Sequence, residues 1–323
     1  MIARARGMPV PTAPRRLGSL RALAGGIARH GWPRVLVEFG GGIGDQLLCS
    51  AVFHELRRRG ETRLWMMSNH APLFAHNPHI DAVLPVDWRM SAALARLGAR
   101  RYRPVYTQRN PASDRDAPPK RQIIAEMCAL SGLTGSVAVR PYMVLRERER
   151  AAGRVVPNQI AIQSSGMAAR YPMSNKEWRP ERFQAVVQAL RGRYRFVQLG
   201  AATDPPLNGA FDLRGKTTLR ETAAILSQSQ LFVGLVGFQM HLARAVDCRA
   251  VIVYGGREDP AISGYNCNEN LYAPVPCAPC WLWNRCDYDH RCMRAIEADD
   301  VVAAIEQQAA RFGEPLLVEE ILI

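Results

Sequence analysis

Two stretches of the chain carry the same rhythm: a short apolar run ending in glycine or polar residues, then apolar residues at helical spacing. In the first, Val35–Phe39 reads as a buried parallel strand, and Leu47, Leu48, Ala51, Val52 and Leu56 predict a helix stopped by Gly60. Thr62–Met67 and Ala82–Val86 read as the next strands, with a short helix opened by Pro72 and ending near Asn77-Pro78. The rhythm restarts at Ile160–Gln163, with a helix from Pro180 to Leu190 and a strand at Phe196–Leu199. A helix at Leu219–Ser229, a strand at Leu231–Leu235, a helix at Met240–Val246 and a strand at Ala250–Tyr254 follow. A last helix near Val301–Ala310 has Asp299 available as its cap. Strand and helix in strict alternation, twice, predict two doubly wound parallel α/β units.

A charged stretch, Arg146–Arg154, and Pro157 mark the junction. The expected organisation is a basic extension over residues 1–34, a first Rossmann-like unit over 35–153 and a second over 154–323. A chain of 323 residues with 48% hydrophobic residues can bury cores of that size. No run approaches the ~18 apolar residues of a spanning helix, and the first residues lack the apolar run and cleavage site of a secretory signal. The expectation is a cytoplasmic protein whose eight cysteines bind metal or sit in the core.

Charge adds a partner question. The formal net charge is +13, and Arg4, Arg6, Arg15, Arg16, Arg21, Arg29 and Arg34 all precede the first acid, Glu38. Such a leader is either a solvated arm or a segment drawn to an anionic membrane face. No aromatic-interleaved basic stripe, zinc-finger spacing or helix-turn-helix pattern points to nucleic acid.

The loop Gly40-Gly41-Gly42-Ile43-Gly44-Asp45 lies between the first strand and its helix, where backbone can approach a ligand and the helix start favours anions. A dinucleotide site needs an acid near the end of the second strand to hold a ribose hydroxyl. That strand runs instead into Ser68-Asn69-His70, with no acid there, which disfavours hydride transfer with a nicotinamide cofactor. By position alone, Asp45 fits a helix cap as well as a catalytic carboxylate.

Cys277, Cys280, Cys286 and Cys292 form a C-x2-C-x5-C-x5-C array within 277–292. Four thiolates so spaced suit a closed structural zinc or iron site, the alternative being reduced or disulfide-paired residues in a loop. Cys49, Cys128, Cys248 and Cys267 show no such spacing.

Several segments, in order, resemble glycosyltransferase family 9, the ADP-heptose:lipopolysaccharide heptosyltransferase-like enzymes. They are Gly42-Ile43-Gly44-Asp45-Gln46-Leu47-Leu48, His76-Asn77-Pro78-His79-Ile80-Asp81-Ala82-Val83 and Asn175-Lys176-Glu177-Trp178-Arg179-Pro180-Glu181-Arg182-Phe183. Leu199-Gly200, Leu213-Arg214-Gly215-Lys216-Thr217-Thr218-Leu219-Arg220-Glu221, Met240-His241-Leu242-Ala243 and the segment ending in Cys292-Met293 complete the set, covering roughly 35–310. The resemblance implies a GT-B fold, two Rossmann-like domains facing across a cleft, with the acceptor in the first and the nucleotide-sugar in the second. It implies an inverting reaction without a catalytic metal. Asp45 becomes the general base, with Gly42 and Gly44 as the loop beside it, and Lys176 the cation facing the donor diphosphate. Glu221, Gln239, Met240 and His241 become donor contacts. Some relatives with a similar cysteine segment are associated with iron.

The chemistry fits those residue types. An acceptor hydroxyl attacks well only as its proton is removed, and general-base help is typically worth ~10²–10⁴-fold. The leaving diphosphate needs positive charge from Lys176 and from backbone N–H groups at helix starts. One departure stands out: where the family carries Asp-Thr-Gly, this chain has Val236-Gly237-Phe238. Either the donor differs from ADP-heptose, or Gln239 and His241 share the contacts, or activity is lost. The reading is transfer of heptose or a related sugar to a surface glycan such as lipopolysaccharide core. Its alternatives are a non-catalytic donor-binding scaffold and a sugar-nucleotide epimerase on the same architecture.

Overall fold

The structure, a computed structural model, describes residues 16–323. The chain forms α1 (Arg16–His30), β1 (Val35–Glu38), α2 (Ile43–Arg58), β2 (Leu64–Met67), β3 (Ala82–Leu84), α3 (Trp88–Arg96) and β4 (Arg100–Tyr102). A small hairpin of β5 (Arg109–Asn110) and β6 (Arg115–Asp116) follows, then α4 (Ile123–Leu130), β7 (Ser136–Ala138) and α5 (Glu147–Ala152). The second half contains β8 (Gln159–Ile162), α6 (Pro180–Leu190), β9 (Arg195–Gln198), β10 (Phe211–Asp212), α7 (Leu219–Gln228) and β11 (Phe232–Leu235). It continues with α8 (Phe238–Ala245), β12 (Ala250–Gly255), α9 (Pro260–Ser263), β13 (Glu269–Tyr272), α10 (Arg291–Arg294), α11 (Ala298–Ala309) and β14 (Glu320–Leu322).

Two parallel sheets carry the fold. The first has the order β3-β2-β1-β4, and the second β10-β9-β8-β11-β12-β13. Their order reverses between β1 and β4 and between β8 and β11, where open α/β sheets leave a crevice beyond the strand ends. Consecutive strand residues face opposite sides, so each sheet needs cover on both. Leu36, Trp65, Met67 and Leu84 pack under α1 and α3. Ile160, Ile162, Phe196 and Val233 pack under α6 and α11. The remaining faces merge into one cluster, in which α2 and α4 of the first half meet α7 and α8 of the second.

Several elements differ from the sequence expectation. Arg16–His30 is not a solvated arm but a helix, with Ala22, Leu23 and Ile27 packed on the first sheet. It comes so close that a Cβ on Gly26 would lie 2.6 Å from the Trp65 ring. Arg4, Arg6 and Arg15 lie outside the described residues. The junction stretch forms α5, whose Glu149 accepts from Arg146 N and pairs with Arg220 of α7. Asp299 sits in the first turn of α11, while Glu297 is the cap residue, its N–H donating to Asp300 Oδ2 at 2.8 Å. β14 pairs antiparallel with β7, so the last strand returns to the first half.

Candidate active site

Asp45 is the third residue of α2, immediately after the glycine loop at the crevice end of β1. Its Oδ2 accepts from Gly42 N at 3.1 Å, the capping bond that its position predicts. Its Oδ1 accepts from the Tyr106 hydroxyl at 2.6 Å. An ionised carboxylate offers about four acceptor positions, so two bonds orient this one and leave room for a third partner. Burial raises the Asp45 pKa, opposed by the Tyr106 and Gly42 bonds and by the charge of Lys176, with Glu258 adding to the rise. Cap and candidate base are the same residue.

Lys176 stands in the loop between β8 and α6, in a short 3₁₀ turn over Ser174–Lys176. Its Nζ meets Glu258 Oε1 at 2.5 Å, and both side chains are mostly buried. Glu258 also pairs with Arg257, which pairs in turn with Asp116 of the hairpin. Burial pushes the Glu258 carboxyl up, but Lys176 and Arg257 overcome it and hold the group at about 2. Burial draws the Lys176 ammonium down, and Glu258 opposes that. The result is a buried chain of alternating charges, Asp116, Arg257, Glu258, Lys176, whose terminal cation acts on the Asp45 carboxylate through its charge.

Helix α8 starts after Gly237 and packs against α2. A Cβ on Gly44 would lie 3.4 Å from Phe238 Cα and 3.5 Å from His241 Cδ2, so the glycine is where loop and helix touch. His241 is buried, its Nδ1 sharing a 2.7 Å hydrogen bond with the Tyr265 hydroxyl, and burial draws its pKa down to about 4. It is a neutral imidazole at pH 7. Gln239 is buried with its Oε1 lacking any protein partner, a costly state that an added ligand donor would relieve.

The other sequence candidates lie elsewhere in function. Met240 is fully buried in the shared core and accepts from the Tyr254 hydroxyl at 3.5 Å. Glu221 is exposed and caps α7: its Oε2 accepts from Thr218 N at 2.7 Å. Trp178 is buried against Phe183 and donates to Ile296 O at 3.0 Å, which ties the start of α6 to the segment before α11. Tyr106, Asp116, Arg257 and Glu258 were not foreseen. Arg257 and Glu258 lie two and three residues beyond β12 at its crevice end, a positional signal present in the sequence. For Tyr106 there is none.

The hairpin and the cysteine segment lock together across the halves. Asp116 N donates to Trp281 O, and Trp283 N donates to Asp114 O, at 3.0 and 2.9 Å. Asp114 Oδ2 accepts from Asn284 N and Arg285 N at 2.7 and 2.9 Å. The same stretch holds the residue before Lys176: Asn175 Nδ2 donates to Leu282 O and Arg285 O, and its N–H to Trp283 O.

Cys277, Cys280, Cys286 and Cys292 line one cavity with Asn175, Arg257 and His290. They are free thiols, and burial pushes Cys280 and Cys292 up, holding them protonated. Among the described residues no three His, Cys, Asp or Glu side chains stand together as a metal site. The segment spreads its thiols around the cavity wall, so the expected four-thiolate zinc or iron site is not assembled.

Residues 156–282 match the family described as glycosyltransferase family 9 (heptosyltransferase). No curated protein matches the chain. Among solved structures, a family 9 glycosyl transferase from Veillonella parvula is similar, with TM-score 0.65, 15% identity, and 87% of this chain and 98% of that chain covered. The E. coli ADP-heptose lps heptosyltransferase II has TM-score 0.65 and 12% identity, covering 86% of this chain and 99% of its own. The dodecameric, iron-containing heptosyltransferase TibC, from enterotoxigenic E. coli, has TM-score 0.64 and 18% identity. That match covers 87% of this chain and 77% of TibC, solved in complex with ADP-D-beta-D-heptose. The two facing parallel sheets thus form a GT-B fold, and residues 156–282 carry the likeness to glycosyltransferase family 9.

Proposed function

We propose that this glycosyltransferase inverts the anomeric centre as it moves heptose, or a related sugar, from a nucleotide-sugar donor to a bacterial surface glycan such as lipopolysaccharide core. The first unit, residues 35–153, would hold the acceptor, and the second, 154–323, the donor. The observation that carries the reading is the Asp45 carboxylate, held by Tyr106 and Gly42 with its pKa raised by burial and the Lys176 charge beside it. A raised carboxylate is better matched to taking a proton near neutral pH than an ordinary one. It accepts the acceptor hydroxyl's proton as the oxygen attacks the anomeric carbon and the nucleoside diphosphate departs.

Lys176 and the N–H groups at the start of α8 supply positive charge to the departing diphosphate without a catalytic metal. ADP- or ADP-heptose-bound relatives support a nucleotide-sugar as donor. His241, next to Gly44, and Gln239, with its unpartnered Oε1, are the polar groups available where the family's Asp-Thr-Gly is replaced. Work at the inner face of the cytoplasmic membrane suits the net charge of +13.

The test is transfer by purified protein, with donors first ranked by a thermal-shift panel of ADP-, GDP- and UDP-sugars. Asp45→Asn should lower turnover by ~10²–10⁴-fold and leave donor binding intact, whereas unchanged turnover refutes the base. Lys176→Gln should weaken nucleoside-diphosphate binding by calorimetry. A donor that binds and is neither transferred nor hydrolysed supports the scaffold reading, which the Val236 substitution favours. Isomerisation without acceptor would identify an epimerase.

A further inference from the structure

Helices α1 and α3 both lie on one face of the first sheet, α1 against β3 and α3 against β4, and both are seated on the cluster of Leu36, Trp65, Met67 and Leu84. Their outward surfaces therefore form one layer, and its composition is unusual. Neither helix contains an acidic residue; Asp87, which caps α3, spends one oxygen on Arg89 N and Met90 N. Three large apolar side chains stand in solvent there: Trp88 is 67% exposed, Leu97 66% and Leu20 58%. Arg89 and Arg96, seven residues apart, share the outward stripe of α3, and Arg21 and Arg29 are exposed on α1. Arg101 adds an exposed charge on the edge strand β4 beside α3. Arg100 is taken by Glu61 and is not counted.

We propose that this α1–α3 face docks on a bilayer of anionic lipid, the arginines meeting headgroup phosphates and Trp88, Leu97 and Leu20 entering the interfacial layer. Charge alone would suit any polyanion. The exposed tryptophan and leucines select a bilayer, because aromatic and aliphatic groups gain at the headgroup boundary and basic residues near an anionic surface add to them. The Arg89 guanidinium lies 5.2 Å from the Trp88 ring, which lets one site present cation and apolar surface together. Arg4, Arg6 and Arg15 precede α1 in the sequence without an intervening acid and extend the same sign.

This placement shares only membrane contact with the reading above, and vesicle binding is read without sugar transfer, so failure of one is separable from failure of the other. The full chain is sedimented with phosphatidylcholine vesicles and with vesicles carrying 30% phosphatidylglycerol. Binding is expected to the anionic vesicles alone and to fall as salt rises. Arg89→Gln with Arg96→Gln should weaken it ~30-fold, at about a tenfold change or less per basic residue near the surface. Trp88→Ala with Leu97→Ser should also weaken it, while Arg193→Gln with Arg311→Gln, exposed arginines of the second half, should not. These side chains are exposed, and an unchanged melting temperature verifies that the variants fold. Equal binding of all variants, equal binding to neutral vesicles, no sedimentation with either, or preference for single-stranded RNA over vesicles overturns the proposal.

Discussion

The Tyr106 hydroxyl donates to Oδ1 of Asp45 at 2.6 Å, across 61 positions of sequence. The bond stabilises the ionised carboxylate against the burial that raises its pKa. Tyr106→Phe removes it, so the Asp45 pKa should rise further. A base must be ionised to act, and the acidic limb of the kcat/KM profile should therefore move to higher pH. Activity lost at neutral pH should be partly recovered in alkaline buffer. A pH–rate profile of the variant checks this, and an unmoved limb would separate Tyr106 from the base.

Glu258→Gln leaves Lys176 buried without its counter-charge. Breaking a buried pair by removing one partner typically costs ~3–5 kcal/mol, and the 18% exposure of the Lys176 side chain argues for about 3. The stability should also respond to acid. The Glu258 carboxyl is held at about 2 against an ordinary value of 4.5, so its contribution is complete above about 4.5 and is lost as pH falls through about 2. Melting temperatures of wild type and variant should differ most at neutral pH and converge in acid.

Gly44 and Gly40 belong to one loop but meet different surroundings. A Cβ at Gly44 would touch Phe238 and His241, whereas one at Gly40 has no atom within 4 Å. Gly44→Val should push α2 and α8 apart, with an overpacking cost of ~1–3 kcal/mol and a large loss of turnover. Gly40→Ala should change neither by a measurable amount. Thermal unfolding and kinetics of the two variants give the contrast.

Asp114→Ala removes the acceptor of the Asn284 and Arg285 amides. Each bond is worth about 1 kcal/mol. Hydrogen exchange at those two amides should accelerate roughly tenfold, while amides within β8 and β11 keep their protection. Unaltered exchange would mean that the hairpin does not hold the segment.

The sheets were legible because buried parallel strands such as Val35–Glu38 and Ala250–Gly255 leave near-continuous apolar runs between glycines. The outer parts were less so. The arginines of α1 mask a helix whose inward face is set out by Ala22, Leu23 and Ile27. α3 hides its apolar face among alanines, and β4, Arg100–Tyr102, carries edge-strand arginines that mask a strand pattern. At the candidate site, Asp45 and Lys176 stand on motifs, and motifs are what a sequence displays. Tyr106 and Asp116 reach their places through tertiary packing, where the two-strand hairpin has no period to detect. Met240 shows the converse error: it sits inside a motif, but its face of α8 points into the core.

Residues 281–285 act on both sides of the cleft at once. Their carbonyls position Asn175, one residue from Lys176, and their amides and carbonyls position Asp114 and Asp116, a short hairpin away from Tyr106. Lys176 and Asp45 are thus referenced to a common datum, five residues long, although they stand on different halves of the molecule. A one-residue insertion there would not loosen one partner and spare the other. It would carry Lys176 and Asp45 out of register together.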